Sequence, residues 1–125
     1  MSINKVYGEG LKIEVKNAIP YDAGWIAFDF YKLLDEGKIE NFEVRETKRS
    51  PYSIDVVINC VVVNVDLNIA IGTLVAVVEI AKLLRRREKK AKGRKRYKTS
   101  RMEIYINGKS VEQFLEDYAD NKRRG

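Results

Sequence analysis

An α+β fold is what this sequence predicts, and three observations predict it. Segments with the two-residue period of a strand and segments with a helical period follow one another as strand, helix, strand, strand, helix, strand, with a further helix at the end. The segment starting at Ser53 has Ile54, Val56, Ile58, Cys60 and Val62 on one face and Asp55, Val57, Asn59 and Val61 on the other. A strand apolar on one face and half apolar on the other suits the middle of a sheet. After it comes a helix whose apolar arc is too wide for a surface helix, so it must be covered on more than one side.

The first strand is read from Ile3 to Val15 around Gly8-Glu9-Gly10, because Leu11, Ile13 and Val15 alternate with Lys12, Glu14 and Lys16. Asn17 to Asp22 holds turn residues, and Asp22 is placed at the N-cap of a helix running to about Glu36. Gly37 supplies its left-handed stop. Ile26, Phe30, Leu33 and Leu34 line one face of that helix; Asp29, Lys32 and Glu36 line another and can pair with one another. Phe42 and Val44 alternate with Glu43 and Arg45 in a second strand, which Lys48-Arg49-Ser50-Pro51-Tyr52 ends.

Asn64, Asp66 and Asn68 are cap residues for the long helix, read from about Leu67 to at least Arg87, with Glu79, Lys82 and Arg86 as its polar stripe and Gly93 as its end. Arg101 to Asn107 is a fourth strand with Met102, Ile104 and Ile106 inward. Asn107-Gly108 signals a tight turn, and Ser110-Val111-Glu112-Gln113 a capping box that starts a short helix to about Ala119. The chain is thus one domain over residues 1–120 with a polar tail at 121–125. Its element order is the split βαβ pattern of ferredoxin-like antiparallel sheets, with two helices on one face, a short third helix at the C-terminus, and the first and third strands central.

Composition narrows the function. The 125 residues are enough for a core without staples. One cysteine, Cys60, permits no disulfide framework within the chain, and the absence of histidine removes the commonest general base and metal ligand. The N-terminus has no apolar signal core, so an intracellular, cytoplasmic location is expected. The longest run without a charge, Leu67–Val78, is too short to cross a bilayer about 30 Å thick, so no membrane span is expected. A single glutamine beside abundant Ile, Val, Lys, Glu and Arg resembles thermophile composition and suggests a hot archaeal or viral source.

The strongest functional signal is charge. From Arg85 to Arg101, eleven Lys/Arg stand against one acid, Glu88; that segment carries +10 of a net charge of +6, leaving −4 for the remainder. Arg85, Arg86, Arg87, Lys89, Lys90, Lys92, Arg94, Lys95, Arg96, Lys98 and Arg101 are the candidate phosphate contacts, in what reads as a basic loop over residues 85–101. Tyr97 is a candidate for stacking on a base. Cations after a helix C-terminus also suit the helix dipole, but that role needs roughly two or three of them. A protein-binding or merely solvated loop and an anionic membrane surface are the competing partners.

The remaining chemistry is thin. Asp22 and Asp66 are explained as caps and Asp55 as a residue on a solvated strand face, and Cys60 as a core residue. No nucleophile elbow, P-loop or dinucleotide fingerprint is present, so no catalytic residue, metal site, cofactor or small-molecule substrate is assigned. The first and third strands show no aromatic platform of the kind an RNA-recognition motif uses. Trp25, Phe28, Phe30 and Tyr31 make the first helix broadly aromatic. With the wide apolar arc of Leu67 to Leu84, they favour a homodimer.

Ser53-Ile54-Asp55-Val56-Val57, the apolar helix ending in Leu83-Leu84-Arg85-Arg86-Arg87, and Met102-Glu103-Ile104-Tyr105-Ile106-Asn107-Gly108-Lys109 together resemble the effector-associated constant component domains. Those are small α+β modules associated with prokaryotic conflict systems, and the resemblance spans residues 11–112. It implies a non-enzymatic adaptor and brings no site residues with it. The expected function is therefore nucleic-acid association without sequence readout, with a protein-interaction adaptor as the alternative.

Overall fold

The computed structural model describes residues 9–63, 69–93 and 102–124. Along them run β1 (Glu9–Ala18), α1 (Pro20–Asp35), β2 (Ile39–Arg49), β3 (Ile54–Val62), α2 (Ile69–Lys92), β4 (Glu103–Ile106), β5 (Lys109–Ser110) and α3 (Val111–Arg124). The class is α+β. The strands form one antiparallel sheet in the order β2-β3-β1-β4-β5. This differs from the four strands expected by the addition of β5. Asn107 (φ 51) and Gly108 (φ 82) make a two-residue turn that folds Lys109 back opposite Ile106.

One face of the sheet carries the core. Leu11, Ile13 and Val15 of β1, the five alternating residues Ile54 to Val62 of β3, and Ile104 and Ile106 of β4 are buried in one cluster. Ile26, Phe30 and Leu33 of α1, Val77, Ile80 and Leu84 of α2, and Val111 and Phe114 of α3 join the same cluster. All three helices therefore cover that face. The other face is open, and only Val57 is buried on it among the described residues.

Several boundaries differ from the sequence expectation. α1 begins at Pro20 with Ile19 as its N-cap, so Asp22 lies inside the first turn and is not the cap. Proline at the first helical position has no N–H to satisfy and a φ already set for helix, which carries the start upstream of the aspartate. The other end is as expected: Gly37 (φ 73) and Lys38 donate to the carbonyls of Leu34 and Leu33 and close the helix.

β2 is longer than expected, because its pairing with β3 continues through two register shifts to Arg49, and Ser50 and Ser53 close the hairpin. α3 is also longer than the expected helix to Ala119 and includes most of the polar tail at 121–125. The expected strand residues before Glu9, and the cap residues Asn64, Asp66 and Asn68, lie outside the described residues. Among the described residues no helix is long and apolar enough to cross a membrane.

Candidate nucleic-acid interface

Arg85, Arg86, Arg87, Lys89, Lys90 and Lys92 lie on the final turns of α2, so the first half of the basic run is helix and not loop. Lys, Arg, Glu and Ala are good helix formers, and Ala91 is buried in the core, which fixes this end of the helix to the body. Arg94, Lys95, Arg96, Tyr97, Lys98 and Arg101 lie outside the described residues.

The helix period divides the six described cations. Arg87 turns inward: its Nε and one Nη donate to the two carboxylate oxygens of Asp29 on α1, at 2.7 and 2.9 Å. Asp29 is buried, and the Arg87 guanidinium also lies 5.4 Å from the centre of the Trp25 ring. The hydrogen bond to Asp29 holds Arg87 charged beyond its ordinary range. Asp29 thus pairs across the helices and not with Lys32 on its own helix. Arg85 and Lys92 have weaker partners, Glu112 at 3.9 Å and Glu88 at 3.8 Å. Glu88, the single acid of the run, accepts the backbone N–H of Ile104 at 2.7 Å and so joins α2 to the start of β4.

Arg86, Lys89 and Lys90 turn outward. All three are exposed, and none has an acid partner among the described residues. Lys82, also exposed, lies one turn earlier on the same face. Sequence reasoning did not place Lys82 among the phosphate contacts; its spacing of four from Arg86 was the signal that could have included it. At the N-terminal end of this stripe Glu79 is already matched: Lys38 donates to it at 2.5 Å, and that bond raises the lysine pKa. The stripe is therefore cationic from Lys82 onward.

Lys12, Lys16 and Arg45 do not join it. They lie on the open face of the sheet, across the core from the helices, among acids. Lys16 faces Glu103 on β4, and its Nζ lies 5.5 Å from the centre of the Tyr105 ring. The Tyr105 hydroxyl donates to Glu103, which raises the phenol pKa. Tyr105 is the one aromatic on this face among the described residues, and its ring is already occupied by a lysine.

The other polar residues singled out from sequence hold the fold. Asp55 accepts the N–H of Asn17 at 2.8 Å, where β1 makes a bulge with Asn17 at φ 58. Burial pushes the Cys60 thiol up to about 12, so it stays protonated. No cluster of three or more metal-binding side chains occurs among the described residues. A second surface was anticipated only in outline: Tyr21, Trp25 and Phe28 form an edge-on row along exposed α1, with ring centres 6.2 and 5.5 Å apart.

No family model matches the chain, and no curated protein is similar to it.

Proposed function

We propose that this chain is a non-enzymatic nucleic-acid-associated protein that grips phosphate backbone without reading sequence. The binding groups are Arg86, Lys89 and Lys90 on the outer face of α2, extended by Lys82 and by the cations that follow from Arg94 to Arg101. The observation that carries this reading is the outer stripe itself: adjacent exposed cations at helical spacing with no acid to neutralise them among the described residues. We leave Arg87 out of the interface, because it turns inward and its Nε and one Nη are committed to Asp29. We read the fold as ferredoxin-like with one added edge strand; the run β2-β3-β1-β4, antiparallel throughout, supports this. A cytoplasmic setting suits its lone buried thiol.

Binding of duplex DNA and of single-stranded RNA, measured by fluorescence anisotropy across a salt series, tests the proposal. Neutralising Arg86, Lys89 and Lys90 to glutamine should lower affinity evenly across sequences. On duplex DNA it should also reduce the log–log salt slope by about 0.9 for each phosphate that is no longer neutralised. Lys12→Gln/Lys16→Gln, on the open face, should leave both unchanged. Wild-type affinity in the triple variant would overturn the assignment.

A second reading, a protein-interaction adaptor that forms homodimers, is favoured by the exposed aromatic row on α1. It predicts no salt-dependent nucleic-acid binding and a mass above the monomer.

A further inference from the structure

The two edges of the sheet are unequal. β5 ends one side with two residues that lead directly into α3. β2 ends the other with eleven residues, and past Phe42 every residue of it is exposed. Pairing fixes which β2 peptide groups are free. Ser50 N–H donates to the Ser53 carbonyl at one end of the hairpin, and Val63 N–H to the Lys38 carbonyl at the other. β3 has no bulge between these points, so its odd-numbered residues direct their peptide groups to β2. Val57 and Asn59, whose partners are Arg45 and Glu43, are among them. Phe42, Val44 and Glu46, opposite even-numbered β3 residues, therefore direct theirs to the open edge.

We infer that this edge pairs with a second copy of the chain, β2 antiparallel to β2 about a two-fold axis at Val44, giving one sheet through both copies. The inference deepens the homodimer reading by naming its surface, and does not depend on nucleic-acid binding. It commits to a second copy because the edge is complementary to itself in one register. With the axis at Val44, the two valines form the central hydrogen-bonded pair, and Phe42 and Glu46 of each copy exchange bonds on either side. Glu43 of one copy then stands in the close, non-hydrogen-bonded position opposite Arg45 of the other, and this occurs twice.

Neighbouring registers lose that match. An axis at Glu43 or at Glu46 sets carboxylate on carboxylate, and an axis at Arg45 sets guanidinium on guanidinium. The bulges at the two ends of β2 confine the usable edge to this central segment. On the helix side, Val44 is 41 % exposed and Tyr31, packed edge-on against Phe42 at 4.8 Å, is 60 % exposed, so apolar surface flanks the same axis.

Sedimentation equilibrium across the micromolar range tests this on the full chain. Wild type should approach twice the 14.4 kDa monomer mass. Val44→Pro removes a free edge N–H that the monomer does not use, so the fold should persist by circular dichroism while the dimer is lost. Arg45→Glu opposes carboxylates twice and should weaken association by roughly tenfold. Glu43→Arg combined with Arg45→Glu restores unlike pairs and should recover it. A dimer unaffected by Val44→Pro and by Arg45→Glu would overturn this surface while leaving the homodimer reading standing. A wild-type monomer at every concentration would overturn both.

Discussion

Arg86 and Arg87 are adjacent in sequence and alike in chemistry, yet they belong to different systems. Arg87 faces α1, where a fork of two hydrogen bonds and the Trp25 ring hold it, and its partner Asp29 is withdrawn from water. Arg86 faces outward with Lys89 and Lys90, and nothing described in the fold uses its charge. One step along a helix turns a side chain by about 100°, so a dense basic run wound into a helix is divided between an inner and an outer population. Charge density along the sequence counts both together. Only the outer population is available to a phosphate, and the inner one is part of the reason α2 stays on α1.

The largest effect that tests this division is on stability at Arg87. Arg87→Ala strands the Asp29 carboxylate in a site where it is about one-tenth exposed. Removing one partner of a buried pair costs about 3–5 kcal/mol, and the partial exposure of the arginine reduces this to about 2–3 kcal/mol here. Urea denaturation should show that loss as a lower midpoint at an unchanged m-value. Arg87→Lys should recover only part of it, since an ammonium cannot make the two-pronged contact. If Arg87→Ala cost no more than Arg86→Ala, the inner and outer populations would not be distinct.

A smaller effect is expected at Glu88. It shares the inner side with Arg87, but its bond is a single one to the Ile104 N–H. Glu88→Ala leaves that amide without its acceptor and should lower stability by about 1–2 kcal/mol. Amide exchange localises it: Ile104 should lose protection well ahead of the β1 and β3 amides. Equal acceleration throughout the sheet would mean that Glu88 acts through net charge and not through this bond.

Much of the architecture was legible because its signals are local. The alternation of Leu11, Ile13 and Val15, the apolar face of β3, the stop at Gly37 and the Asn107-Gly108 turn each reside within a few residues of sequence. What was not legible depends on long-range partners. Asp29 was assigned to its own helix because Lys32 stands nearby in sequence; its actual partner is 58 residues away. Helical spacing already puts Arg86 on the polar stripe; the same distance hid the inward commitment of Arg87, and the continuation of the helix to Lys92 depends on Ala91 having a core to enter.

The start of α1 failed differently. Two local signals competed there, and Pro20 at the first helical position prevailed over Asp22 as a cap. The capping box at Ser110 was half right: its hydroxyl accepts the Gln113 N–H, but the Gln113 amide reaches forward to Asp117 instead of back. The β2 edge was missed because Lys48 and Arg49 look like turn residues until the ladder with β3 is drawn.

The smallest expected effect is also the most discriminating. Replacing Arg86, Lys89 and Lys90 together by glutamine removes three charges from α2, yet stability should move by no more than about 0.5 kcal/mol. Glutamine has nearly the same helix propensity as the residues it replaces. Two opposing effects remain. Loss of cations near a helix C-terminus costs a few tenths of a kcal/mol, and relief of like-charge repulsion between Arg86 and the two lysines returns a similar amount. Both are screened by salt, so the difference between wild type and triple variant should shrink further as ionic strength rises. A loss approaching that of Arg87→Ala would mean that the outer stripe is structural after all. A fold indifferent to these three cations leaves their placement to be explained by something the chain meets rather than by the chain itself.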